Sequence, residues 1–215
     1  MGTLIGLFIL LFACSYLLTQ GLIHYAHKKQ LLDVANHRSS HTQATPRIGG
    51  LGFVLLISLL VASYAVFINN LSTAAILIFI LAPALIVAVT GLLDDVLNLS
   101  QRVRFVLYFL SSLLALGNFS SLSAQPLWLL LSGGLILGLN LTWLINLFNF
   151  MDGIDGIAAS ESLFVLTVLS FFAYQASDAD LHHLLILSTA PIIGFLLLNW
   201  QPARIFMGDI GSTFL

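Results

Sequence analysis

Charge is what this sequence has least of: Asp, Glu, Lys and Arg make up 7% of its 215 residues, against a hydrophobic share of 59%. A soluble domain needs roughly a quarter of its residues charged, so this composition excludes one. Cysteine occurs once, at Cys14 inside an apolar run. No disulfide framework can form within the chain, and a buried inert thiol is the expected state. Lys and Arg are absent from four of the six connections between apolar runs, and nucleic acid is not expected as a partner.

What is present is a series of apolar runs, at Leu4 to Ile23, Ile48 to Ile68, Thr73 to Leu93, Phe105 to Leu116, Leu127 to Ile145, Ile157 to Tyr174 and Leu184 to Trp200. A bilayer is crossed by about 20 apolar residues in a helix, so the runs predict an all-α polytopic integral membrane protein with about seven transmembrane helices. The fourth is the shortest, with Arg102 and Arg104 at its mouth and Gly117 ending it. Lys28, Lys29, Arg38, Arg47, Arg102, Arg104 and Arg204 all fall in the first loop, the third loop or the tail after the seventh run. The positive-inside rule then puts those segments in the cytoplasm and the N-terminus outside. No basic stretch precedes the first run and no small-residue cleavage site follows it, so it is read as a membrane helix and not a leader.

The most informative stretch is NLFNFMDGIDG, residues 146 to 156, where Asn146, Asn149, Asp152 and Asp155 come at steps of three as an apolar run stops. On a straight helix the first and last of these face opposite sides. They converge on one ligand only if the helix ends near Phe150, which Gly153 and Gly156 permit. Such oxygens suit a hard divalent cation or a polyhydroxylated ligand, and equally a solvated turn. Asp94 and Asp95 close the third run in GLLDD. Paired carboxylates there can bind a cation, hold a proton as a general base or cap the next helix. Glu161 is read as a helix-dipole partner in the first turn of the sixth run. Asp178, Asp180, His182 and His183 read as a solvated loop on the far side. After the seventh run, Pro202 breaks the helix and FMGDIGS presents Asp209 between glycines, a workable phosphate-plus-cation turn.

Four motifs, RSSH…TPRIGG, GLLDD, NLFNFMDGIDG and FMGDIGS, occur in an order that resembles the polyprenyl-phosphate N-acetylhexosamine-1-phosphate transferases, glycosyltransferase family 4. That family holds the phospho-N-acetylmuramoyl-pentapeptide transferase and the GlcNAc-1-phosphate transferases. The resemblance covers nearly the whole chain. It implies Mg²⁺, with Mn²⁺ as a substitute, held by Asp209 with Asn149 among its ligands. Asp94 and Asp95 would position or deprotonate the lipid phosphate. Asn149, Asp152 and Asp155 would contact the nucleotide sugar, Asn146 and Asn199 would support them, and Phe206 would stack on uracil. Thr45, Arg47, Gly49 and Gly50 would lie near the site, with Arg47 or Arg102 sharing the diphosphate charge.

Arginines instead of lysines after the Asp pair make the O-antigen-initiating branch the closer likeness. The family has ten or eleven spans and a histidine-rich motif near its C-terminus, so residues 1–215 are expected to form a single phospho-sugar transferase domain that is incomplete at Leu215. The implied partners are a UDP-N-acetylhexosamine and undecaprenyl or another polyprenyl phosphate in the bacterial inner membrane, with the site on the cytoplasmic face and a homodimer admitted. The implied product begins O-antigen, lipopolysaccharide or related cell-envelope glycans. An inactive transferase fragment and a cation-coupled transporter are the alternatives.

Overall fold

A computed structural model describes residues 2–30, 32–33, 44–67, 73–117 and 126–215. Arg38 with the rest of the RSSH stretch, Asn69, Asn70 and most of the Ser-rich loop after Gly117 lie outside the described residues. The fold is all-α apart from an antiparallel ladder of two residues per strand, β1 (Leu32–Asp33) on β2 (Thr45–Pro46), with Leu32 opposite Pro46.

Each apolar run becomes a helix, because in lipid the backbone has no other partner for its N–H and C=O groups. The first, α1 (Gly2–Lys29), continues past Ile23, with His27, Lys28 and Lys29 at the end where the helix dipole favours cations. It is followed by α2 (Gly50–Phe67) and α3 (Thr73–Leu97), whose turn at Leu77–Leu81 is widened to π geometry just before Pro83. Asn98, left-handed at φ 52°, stops α3, and its N–H donates to the Asp94 carbonyl at 2.9 Å. Ser100 then caps α4 (Gln101–Leu116) by accepting from the Val103 N–H. That leaves no capping role for Asp94 or Asp95, both of which lie inside the last turns of α3.

Three helices complete the set, α5 (Leu127–Met151), α6 (Ile157–Gln175) and α7 (Ala179–Asn199), before the short α8 (Gly208–Phe214). Among the described residues six helices are long and apolar enough to cross a membrane. The fourth expected span, α4, is a helix of 16 residues, held short by Ser100 at one end and Gly117 at the other.

Two expectations change at the α6 and α7 ends. Helix α7 begins at Ala179, with Asp178 as its N-cap accepting from the Leu181 N–H at 3.0 Å. His182 and His183 therefore belong to a helix and not to a solvated loop, and the His182 ring pairs with the Ser170 hydroxyl at 2.8 Å. Glu161 lies beyond the first turn of α6, too far along for the dipole role assigned to it.

Helix α7 is the pillar of the bundle, packed on α1, α2 and α6. Half of its apolar window is buried, against 11% for α1 and for α5, which turn most of their surface to lipid. Gly194 allows the closest approach: a Cβ there would lie 2.6 Å from the Phe12 carbonyl of α1. Ser15 adds a hydrogen bond to the Pro191 carbonyl at 2.6 Å. Around α7 the core gathers Phe53, Ile57, Ala158, Ile192, Phe195 and Ile210, with Phe53 edge-on to Phe195 at 5.2 Å. The residues of α8 that close this core also bring Asp209 to the ends of the other helices.

Candidate active site

Segments far apart in the chain meet around α8. The loop before α2 pairs with the strand-like stretch leading into it: the Phe206 N–H donates to Pro46 O at 2.7 Å. The Gly49 and Gly50 N–H groups donate in return to Phe206 O at 3.0 Å and Met207 O at 2.8 Å. A Cβ on Gly50 would stand 2.5 Å from Gly211 Cα, so only glycine admits this contact. On the other side, a Cβ on Gly91 of α3 would stand 2.3 Å from the Asp209 carbonyl. Gly208 opens α8 in the left-handed region at φ 72°, pressed against the Arg47 carbonyl. Backbone contact on both sides thus sets Asp209 against the end of α3, where Asp94 and Asp95 lie.

The NLFNFMDGIDG stretch is shaped by a helix end and a stitched turn. Helix α5 stops at Met151, one residue past Phe150, and the Asp152 N–H turns back to Asn149 O at 3.2 Å. Gly156 is left-handed at φ 73°, and its N–H donates to Asn199 Oδ1 at 3.0 Å. The same Asn199 carboxamide donates to Ile205 O at 2.9 Å, while Asp155 Oδ2 accepts from the Ala203 N–H at 2.9 Å. Asn199 and Asp155 accordingly clip the α5–α6 turn to the segment after α7. Asn146, one turn before Asn149, donates to Thr142 O of its own helix at 2.8 Å and faces a groove between α4 and α5.

What collects at the centre is an acid cluster with one guanidinium in it. Arg104 of α4 bridges the Asp94 carboxylate and Asp209 Oδ2, the latter at 3.3 Å. Asn149 also hydrogen-bonds the Asp209 side chain, and Asp94 lies within hydrogen-bonding reach of it. Asp209 takes up its proton more readily than an ordinary carboxylate, chiefly because it is buried and then because of Asp94 beside it. Asp152 is pushed well above the usual carboxylate range by burial first, then by the charges of Asp209 and Asp95; Arg47 and the Gly208 amide act against this. The Asp209 and Ile210 amides face the Asp95 carboxylate, whose Oδ2 is buried without a hydrogen-bond partner.

These donors suit a hard cation whose remaining ligands come from outside the chain. Among the described residues no three His, Cys, Asp or Glu side chains form a ready metal cage. Mg²⁺ is ordinarily bound by one or two carboxylates with substrate oxygens completing the shell, and Asp209, Asn149 and the unpaired Asp95 oxygen offer that number.

Comparison with known proteins gives this arrangement its context. Residues 77–215, which carry three of the four motifs, match the family described as glycosyl transferase family 4. The chain belongs to that family. A probable undecaprenyl-phosphate N-acetylglucosaminyl 1-phosphate transferase of Bacillus subtilis is 29% identical over 191 residues, covering 86% of this chain and 52% of the relative. A phospho-N-acetylmuramoyl-pentapeptide-transferase of Streptococcus pyogenes serotype M6 is 30% identical over 205 residues, 85% of this chain and 59% of the relative. The chain therefore spans little more than half the length of these curated relatives.

Within this family 4 chain, two neighbours of the cluster stand out beyond the residues singled out from sequence. Arg104, not Arg102, is the arginine among the acids; Arg102 is exposed and lines the α4–α5 groove with Trp143 and Asn146. Tyr108 follows Arg104 by one helical turn and is fully enclosed. The readable signal was the spacing of Arg104, Tyr108, Ser111 and Ser112, a polar line on a helix otherwise apolar beyond its first turn. Arg47 is exposed at the edge of the cluster, where its charge bears on Asp95 and Asp152, and Phe206 is half-buried in the paired segment next to it.

Proposed function

We propose that this chain carries the nucleotide-sugar and cation site of a transferase moving N-acetylhexosamine 1-phosphate from a UDP-sugar to a polyprenyl phosphate. The supporting observation is the convergence of Asp94, Asp95, Asn149, Asp152 and Asp209 at the ends of separate helices. A lipid phosphate oxygen attacks the β-phosphorus, the bond from that phosphorus to the oxygen of the nucleoside monophosphate breaks, and UMP leaves with that oxygen. Such transfer depends on positioning and charge neutralisation more than on covalent catalysis. Mg²⁺, or Mn²⁺ in its place, held by Asp209 and Asn149, would neutralise the diphosphate. Arg104 and Arg47 add fixed positive charge, Asp95 orients the attacking phosphate, and the clipped turn at Asp152 and Asp155 meets the nucleotide sugar beside Phe206.

The groove between α4 and α5, about 1030 Å³ and lined by Arg102, Phe105, Leu139, Asn140, Trp143 and Asn146, suits an anionic head on an apolar tail. Acids at helix ends, and not at broken helices in mid-membrane, speak for surface chemistry on a lipid rather than ion-coupled transport. The site lies on the cytoplasmic face of the inner membrane in this reading. The arginines in the first turn of α4, shortly after Asp95, favour the branch that starts O-antigen or a related envelope polysaccharide.

The decisive experiment measures UMP released from UDP-GlcNAc by membranes containing the chain and polyprenyl phosphate. Activity is expected to disappear in Asp209→Asn at an unchanged membrane level of protein. Turnover retained by that variant would remove Asp209 from the cation site.

A further inference from the structure

Among the described residues, four buried side-chain N or O atoms have no hydrogen-bond partner: Ser58 Oγ, Asp95 Oδ2, Arg104 Nε and Tyr108 Oη. Ser58 lies on α2, whereas Asp95 and Arg104 belong to the acid cluster and Tyr108 stands within its electrostatic reach. A buried polar atom left unpaired weakens a fold, and three in or beside one cluster, an acceptor, a donor and a hydroxyl, point to a partner that the site acquires. Tyr108 is the most enclosed of them at 1% exposure. It projects from the same face of α4 as Arg104, and its hydroxyl lies within electrostatic range of Asp209, Arg104, Asp94 and Asp95. The chain uses phenylalanine 16 times, so an aromatic ring needed only for packing has a ready alternative without the hydroxyl.

We propose that Tyr108 is a positioning residue of the acid cluster, an inference that rests on the transferase reading above. Its hydroxyl donates to an oxygen that arrives when the site is loaded, a cation-held water or a donor phosphate oxygen, and fixes that oxygen against Asp209. Both sources present the same chemistry, an oxygen acceptor next to a carboxylate, and the hydroxyl completes its hydrogen bond only then.

Tyr108→Phe removes the hydroxyl and keeps the ring. Thermal melting of the full chain in detergent is followed without ligand, with MgCl₂ alone and with MgCl₂ plus UDP-GlcNAc, and Mn²⁺ binding is read separately by electron paramagnetic resonance. The variant is expected to melt at or above the wild-type temperature without ligand. It should require about tenfold more ligand for the half-maximal shift, the scale of one hydrogen bond to a charged group. A weakened response to MgCl₂ alone assigns the oxygen to a cation-held water; one seen only with UDP-GlcNAc assigns it to the donor phosphate. An unchanged ligand response, or a ligand-free melting temperature below wild type, overturns the inference and leaves the cation reading in place. A wild-type chain that responds to neither ligand overturns that reading, and the role of Tyr108 with it.

Discussion

Arg104 decides the electrostatics of the site. Without it, the like charges of Asp94 and Asp209 would stand side by side with no cation between them. Both acids meet the same guanidinium nitrogen, Nη1, a contact that the single ammonium of a lysine can reproduce only in part. Arg104→Ala is therefore expected to lower UMP formation about tenfold or more, since hydrogen bonds to charged groups contribute about 1.5–3 kcal/mol. Arg104→Lys should recover part of that loss, and Arg102→Ala, which leaves the cluster intact, should change turnover far less at saturating polyprenyl phosphate. Steady-state rates on the three variants at matched membrane levels check the order. Asn199 works differently: both ends of its buried carboxamide are committed to backbone groups, so it shapes the site through the turn it holds.

Among the elements, α8 is the piece on which the site turns, although it is only seven residues long. It is fixed by backbone contacts with the loop before α2 and with α3, contacts that glycine alone admits at Gly50 and Gly91. Adding one methyl group at Gly91 would press on the Asp209 backbone and separate the acids. Gly91→Ala is expected to destabilise the protein by about 3 kcal/mol or more, the upper end of overpacking. Thermal melting in detergent measures this, and a variant that melts like wild type would show that α8 shifts freely. The α5–α6 turn is held by the same logic from the other side, through Asn199 and Asp155.

For the whole molecule, the acids of the cluster share one end of the bundle. The α5–α6 turn is hydrogen-bonded to the segment after α7, whereas the α6–α7 connection around Ser177 lies a helix length away. In a Cys14→Ser background, Gly153→Cys and Arg204→Cys are expected to react with a membrane-impermeant maleimide only after permeabilisation of the cells. Ser177→Cys should react in intact spheroplasts. Labelling of Gly153→Cys and Ser177→Cys from the same side would break the topology.

Much of this was legible before any coordinates. Composition and apolar runs determine the helical membrane class, because a bilayer leaves the backbone almost no choice. Position after an apolar run marks Asp94, Asp95, Asp152 and Asp209 as residues of helix ends. Periodicity could not tell that α7 begins at Ala179 and takes in His182, since a polar first turn looks like a loop. Nor could it choose between Arg102 and Arg104, two residues apart on a helix whose inward face depends on its neighbours. Which carboxylates share a guanidinium, which asparagine is a clip, and which hydroxyl is left unpaired were decided only by tertiary packing. Local sequence fixes what a residue can donate or accept; the distance to its partner depends on segments more than a hundred positions away.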